Sequence, residues 1–116
     1  YNARFGPNES LVVPYNKSFD RLLAHHSSIY YGASLNALNE LAKLKNYSLV
    51  ATNLNGNNAF FVENSVLEKT NIKVKSPKEC FNINSFNELR DKSGKILERS
   101  LDEEKKILKQ LPLLKV

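Results

Sequence analysis

The hydrophobic positions are most regular in the segment ASLNALNELAKLKN, residues 33–46. Leu35, Leu38 and Leu41 recur three residues apart, and most of the positions between them carry Asn, Glu or Lys. A stripe of this kind is typical of the buried face of an amphipathic helix. Ala, Leu, Glu and Lys are all good helix formers, and Gly32 stands just before the segment. The pattern predicts a helix over residues 33–46.

Two β-rich runs, YSLVATNL and AFFVEN, follow this helix and are separated by NGNN. Asn55 and Gly56 in that linker form a strong short-range hairpin signal. The second run carries apolar residues on both faces, Phe60 and Val62 on one and Phe61 on the other. A strand buried on both faces lies inside a helix-covered sheet. We therefore expect both phenylalanines to be buried.

The flanking segments are less regular. Before the helix, SLVVP predicts a short extended piece that ends at Pro14, and NKSFDRLLAHH predicts about two helical turns capped by Asn16 or Ser18. After the hairpin the composition turns polar. There, SVLEKT predicts one helical turn, NIKVKSPKECF an extended or loop segment, and NSFNELRDK and LDEEKKILKQL two helices. The last helix, which Pro112 ends, is more apolar than a solvated tail requires.

Charge and cysteine content narrow the function classes. The net charge is +5, but the basic residues are spread along the chain among acids and form no long run. This distribution favours a solvated surface over nucleic-acid binding. Nucleic-acid binding is kept as a third hypothesis for the function, after the two given below. Cys80 stands alone, so no internal disulfide forms, and a reducing, cytoplasmic location is expected. No apolar run approaches the roughly 20 residues of a membrane span.

The sequence carries no motif that identifies a catalytic, cofactor or metal site. None of the four glycines has phosphate-loop spacing. His25 and His26 are adjacent and have no carboxylate or cysteine at ligand spacing, which argues against a metal centre. Ser34 stands where a helix N-terminal serine would bond backbone amides, and it lacks the second glycine of a nucleophile elbow. We assign no catalytic residue within the chain.

Residues 1–64 resemble the C-terminal part of S-adenosylmethionine-dependent methyltransferase-like proteins of the FkbM-like kind. The resemblance runs through YNARFGPNESLVVPYNKSF and then YYGASLNALNELAKLKNYSLVATNLNGNNAFFVEN. The matching positions are Asn2, Phe5, Gly6, Pro7, Val13, Pro14, Tyr15, Tyr31, Gly32, Ala33, Ser34, Leu35, Tyr47, Leu49, Val50, Gly56, Asn58, Ala59, Phe60, Phe61 and Val62.

The resemblance implies a fold, a cofactor and a division of the chain. The fold is α/β, the C-terminal portion of a Rossmann-like sheet (a helix, then an antiparallel hairpin), with extra C-terminal helices. Residues 1–64 would supply the end of the methyltransferase-like domain, and residues 65–116 a mainly helical extension. S-adenosylmethionine would bind the full-length parent through a glycine-rich loop and an acidic residue upstream of Tyr1. The chain alone would then not bind that cofactor, and whether the parent is an active enzyme stays open.

The resemblance also suggests where a substrate would lie. Ligands of open α/β sheets bind outside the carboxyl ends of the strands, and the loop at residues 2–31 would lie at that edge. Asn2, Tyr15, Tyr30 and Tyr31 are the substrate-side candidates. The substrate would be a small molecule or a glycan that the sequence does not identify.

Two further expectations concern partners. As a fragment, the chain would pack against the upstream remainder of its own domain. Because an exposed strand edge recruits other chains, either the tail folds over the sheet or the chain self-associates through that edge. The alternative to the enzyme fragment is a stand-alone interaction or accessory module with a helical partner surface.

Overall fold

Two small antiparallel sheets and five α-helices make up the α/β architecture of the computed structural model, which describes residues 1–116. The molecule is elongated, with extents of 52 × 28 × 20 Å. The helices are α1 (Arg21–Ala24), α2 (Leu35–Leu44), α3 (Asn64–Leu67), α4 (Pro77–Cys80) and α5 (Leu101–Lys109), and a 3-10 turn spans Ala3–Phe5. The strands are β1 (Leu11–Val12), β2 (Tyr47–Thr52), β3 (Ala59–Glu63) and β4 (Leu114–Lys115). No helix has both the length and the apolar character needed to cross a membrane.

Helix α2 confirms the helix expected from the leucine spacing, with shorter ends. It begins after Ser34, whose hydroxyl accepts a hydrogen bond from the amide of Ala37 at 3.2 Å. Leu35 and Ala37 are buried, and α2 packs against β2. The helix ends where Asn46 takes a positive φ of 60°, a conformation that asparagine tolerates better than most residues.

The hairpin of β2 and β3 confirms the Asn-Gly signal. Its register places Tyr47 opposite Glu63 and Leu49 opposite Phe61, with a bulge between Leu49 and Ala51. The turn is held by the Asn53 side chain, which accepts hydrogen bonds from two turn amides and donates to another side chain.

The expectation that both phenylalanines of β3 are buried is wrong. Leu49 is fully buried, and Phe61 lies directly opposite it, half-buried. Phe60 is 52% exposed, and Ala51 opposite it is exposed too. The reason is that β2 and β3 form a separate two-stranded sheet, and the helices that pack against it leave Phe60 exposed. The face of β3 that carries Phe60 and the half-buried Val62 is therefore partly open.

A small hydrophobic core lies away from the hairpin and joins distant segments. Its buried members are Phe5, Ile29, Tyr30, Leu89 and Leu108. The tail folds back, but it packs on the N-terminal segment and not on the hairpin sheet that it was expected to cover. Pairing of β1 with β4 closes this arrangement.

Two helix predictions need correction. The segment NSFNELRDK forms no helix, because the Asn84 side chain accepts a hydrogen bond from the Phe86 amide at 2.8 Å and Leu89 turns into the core. Such a local side-chain bond competes with helix formation. The helix near residue 20 is a single turn capped by Asp20, whereas Asn16 closes a turn of its own with Ser18.

Candidate functional site

A cleft of about 710 Å³ lies between the N-terminal loop and the irregular segment around residue 86. Its apolar walls come from β1, the start of α2 and Phe86. The polar side chains that line it are Tyr1, Asn2, Tyr15, Arg21, Tyr31, Asn57, Asn84 and Glu88. An apolar cleft with a few convergent polar groups is the usual form of a small-molecule site.

Arg4 lies beneath the cleft floor with a completely buried side chain. Its guanidinium pairs with Glu88 at 2.9 Å and donates to the Tyr31 hydroxyl at 3.3 Å. On its other side, Nε lies 3.3 Å from the carboxylate of Glu104, a residue of α5. A buried arginine with partners on both sides fixes the relative positions of those partners, because leaving it unpaired is costly.

Tyr31 presents a protonated phenol to this cluster. Burial raises the pKa of its phenol, and the charge of Glu88 raises it further, against the opposing effect of Arg4 and Arg21. The phenol lies 3.4 Å from a Glu88 oxygen, to which it donates. The Arg21 guanidinium stacks 4.0 Å above the centre of its ring, a cation–π contact.

Glu88 supplies the complementary acceptor. Burial acts to raise the pKa of its carboxyl, but the hydrogen bond from Arg21 and the charges of Arg4 and Arg21 outweigh it, so the pKa is lowered. The Arg21–Glu88 ion pair has a length of 2.7 Å. A neutral hydroxyl donor and an anionic acceptor therefore stand side by side at the cleft wall.

Asn2 is 1% exposed, and its side chain makes hydrogen bonds to backbone groups of the loop. Its amide nitrogen donates to the carbonyls of Ile29 at 2.9 Å and Tyr31 at 3.0 Å, and its oxygen accepts from the Arg4 amide. These bonds occupy the side chain, so Asn2 holds Tyr31 and Arg4 in place at the cleft.

The four substrate-side candidates occupy different environments. Asn2, Tyr15 and Tyr31 all line the cleft, with Tyr15 at the rim, 92% exposed. Tyr30 does not line it. Its ring is part of the core, and its hydroxyl donates to the carbonyl of Pro112 at 2.6 Å.

The sequence did not single out the charged residues of the site. Arg4 is an isolated charge in a segment without periodicity, Arg21 falls in the short helix predicted near residue 20, and Glu88 falls in a predicted helix that does not form. The paired residues are up to 84 positions apart in the sequence, so no local pattern predicts that they pair.

The other reactive side chains are unremarkable in their chemistry. No group of three or more His, Cys, Asp or Glu residues is arranged to hold a metal ion. Burial raises the pKa of the Cys80 thiol, which makes it a weaker nucleophile. The His25 and His26 rings stack at 4.2 Å, and burial, together with the charge of His26, lowers the pKa of His25.

Comparison with known proteins adds no relative to this picture. No protein-family model, curated protein or solved structure matches the chain. The structure itself defines an α/β protein with two small sheets and a polar-lined cleft.

Proposed function

We propose that the chain is the C-terminal part of a methyltransferase-like enzyme, to which it contributes the substrate-side loop and the end of the sheet. The observation that carries the proposal is the cleft. Three residues of the loop, Asn2, Tyr15 and Tyr31, line one cavity, where the Tyr31 phenol donates to the Glu88 carboxylate. A loop that shapes a polar-lined cleft beside a helix and hairpin suits the substrate side of such a domain.

The open surface of the chain supports the fragment interpretation. The accessible area is 7635 Å². A monomer of 13.2 kDa exposes roughly 6,400 Å² by the usual scaling with mass. The excess is larger than the roughly 800 Å² that each partner contributes to a standard interface. We assign the exposed Phe60 face of the hairpin to contact with the upstream remainder of the domain.

The residues present do not fit the cofactor, S-adenosylmethionine. No pair of neighbouring glycines forms a cradle at a helix start, and Gly56, the one glycine with a close neighbour, packs against the backbone of Ile83. In this proposal the cofactor belongs to the upstream part of the parent, and the cleft takes a methyl acceptor, a small molecule or a glycan.

Calorimetry tests the proposal directly. The 116-residue chain titrated with S-adenosylmethionine is expected to give no saturable heat, and the parent that includes the upstream residues is expected to bind at micromolar concentration. In that parent, Tyr31→Phe should leave cofactor binding unchanged. Stoichiometric binding by the short chain, or its absence in the parent, would refute the fragment interpretation.

A stand-alone interaction module is the competing proposal. The observation in its favour is that the core around Phe5 and Leu108 closes with residues of this chain alone. In addition, α1 exposes Leu22 and Leu23, at 69% and 84%. Amide exchange distinguishes the two proposals. In a fragment, the β3 amides exchange much faster in the short chain than in the parent, whereas in a module the two rates agree.

A further inference from the structure

Arg4 connects helix α5 of the tail to the cleft. Toward the tail, its Nε lies 3.3 Å from Glu104. Toward the cleft, its terminal nitrogens reach Glu88 at 2.9 Å and the Tyr31 hydroxyl at 3.3 Å. The cleft wall and the tail helix therefore share one buried cation.

The charges alternate along this contact. Arg99, Glu104, Arg4, Glu88 and Arg21 form a chain of ion pairs in which each carboxylate lies between two guanidinium groups. The Glu104 side chain is 1% exposed, and neither of its oxygens makes a well-aligned hydrogen bond. Glu104 therefore interacts with Arg4 chiefly by electrostatic attraction, which is strong at this distance between buried groups.

The tail that carries Glu104 is docked by independent contacts. Leu108 lies one helical turn after Glu104 on the same face of α5 and is 3% exposed in the core. Further along, the carbonyl of Pro112 accepts a hydrogen bond from the Tyr30 hydroxyl, and the Val116 amide donates to the Ser10 carbonyl at 3.0 Å. These contacts fix where the Glu104 carboxylate lies, whatever the state of the cleft.

We propose that Glu104 is a positioning residue of the cleft: the docked tail neutralises Arg4 from below, and so sets how much positive charge Arg4 presents to Tyr31 and Glu88. With the tail docked, the cleft offers a neutral phenol beside a carboxylate and suits a neutral, hydroxyl-bearing ligand. Without Glu104, the Arg4 charge is turned wholly toward the cleft and favours anions. The argument rests on the proposed function only in treating the cleft as a substrate site.

The Tyr31 phenol is the natural reporter, because Arg4, Arg21 and Glu88 all act on its ionisation. We would label tyrosine with ¹³C at the ζ carbon, assign the Tyr31 resonance by its loss in Tyr31→Phe, and titrate the folded chain. Glu104→Gln keeps the shape of the side chain and removes its negative charge, so the pKa of Tyr31 should fall. Glu103→Gln, an exposed position in the same helical turn, is the matched control and should leave the titration unchanged.

A second variant covers the case in which Glu104→Gln does not fold. Arg99 is the other partner of Glu104, at 3.7 Å, and is 23% exposed. Arg99→Gln leaves more of the Glu104 charge acting on Arg4, so the pKa of Tyr31 should rise. Shifts in opposite directions from the two variants support the proposal. A folded Glu104→Gln chain that titrates like the Glu103→Gln control overturns it, as does an Arg99→Gln chain with an unchanged or lowered pKa.

The readout separates this proposal from the proposed function. The Tyr31 titration needs neither cofactor nor acceptor, so it can succeed when the calorimetric test of the fragment interpretation fails. It can also fail while the parent still binds S-adenosylmethionine. If Glu104 had only a structural role, Glu104→Gln would lower the stability of the chain. The pKa of Tyr31 would then not follow the sign of the charge change in the two variants.

Discussion

The hairpin unit (α2, β2 and β3) and the Arg4 cluster (Arg4, Arg21, Glu88, Arg99 and Glu104) are built on opposite principles. The hairpin unit joins neighbours in sequence through backbone bonds, and one of its faces is open. The Arg4 cluster joins residues up to 100 positions apart through side-chain charges, and Arg4 and Glu104 at its centre are buried. Local signals are enough to form the first region, while the second exists only when the whole chain is folded.

The largest effect is expected from removing the central cation. Arg4→Ala leaves Glu104 buried beside Arg99 alone and breaks the contact to Glu88, which should cost about 3–5 kcal/mol of unfolding free energy. Urea unfolding measures the loss. Arg90→Ala is the control, because the side chain of that arginine bonds only to the Gly94 carbonyl in its own turn. Equal losses in the two variants would mean that the cluster does not hold the N-terminal half together.

Truncation of Leu108 should have a slightly smaller effect. Leu108→Ala removes the tail's buried contact with the core and leaves a cavity, at a cost of about 2–4 kcal/mol. The same change at Leu44, which is 83% exposed at the end of α2, should cost under about 0.5 kcal/mol. Light scattering of both variants shows whether a loosened tail leads to self-association. A Leu108 variant as stable as the Leu44 variant would place the tail outside the folded unit.

The two phenylalanines of β3 test the open face of the hairpin. In the short chain, Phe61→Ala should cost about 2–3 kcal/mol because Phe61 is half-buried opposite Leu49, whereas Phe60→Ala should cost well under about 1 kcal/mol. In the parent the two losses should become similar, because the upstream residues are proposed to cover Phe60. Chemical unfolding of both variants in both lengths measures this. Similar losses already in the short chain would show that the Phe60 face is covered.

Sequence reasoning succeeded where the controlling interactions are local. The leucine spacing of α2 and the Asn-Gly turn predicted the helix and the hairpin, because both depend on neighbours within a few residues. It failed for the helix at Asn84, where a side chain satisfies a backbone amide and a distant core captures Leu89. It also predicted that both faces of β3 are buried because both carry apolar residues. The sequence of a strand does not show, however, which elements pack against each face.

The same reasoning found part of the candidate site. The resemblance named Asn2, Tyr15 and Tyr31, which line the cleft, but it also named Tyr30, which lies in the core. Nothing in the sequence pointed to Arg4, because an isolated arginine is normally a surface residue. Its burial follows only from two carboxylates that long-range folding brings to it.

The smallest effect expected concerns the link between the two regions. In the 116-residue chain taken alone, the amino group of Tyr1 donates to the Asn57 carbonyl of the hairpin turn at 2.7 Å, and burial lowers its pKa from the ordinary value of 8.0. Between the lowered value and 8.0 the unfolded chain binds more protons than the folded chain. Stability should therefore rise with pH up to about 8 and level off above it. Urea unfolding between pH 6.5 and 8.5 measures this slope.

N-terminal acetylation should abolish the slope, because it leaves a donor to Asn57 and removes the titrating charge. The lowered pKa of His25 gives a slope of the same sign, but below its ordinary value of 6.5, so His25→Gln should change only the acidic end of the curve. A slope above pH 6.5 that survives acetylation would mean that the charge of the amino group is not desolvated at the hairpin turn. The first residue would then not join the two regions.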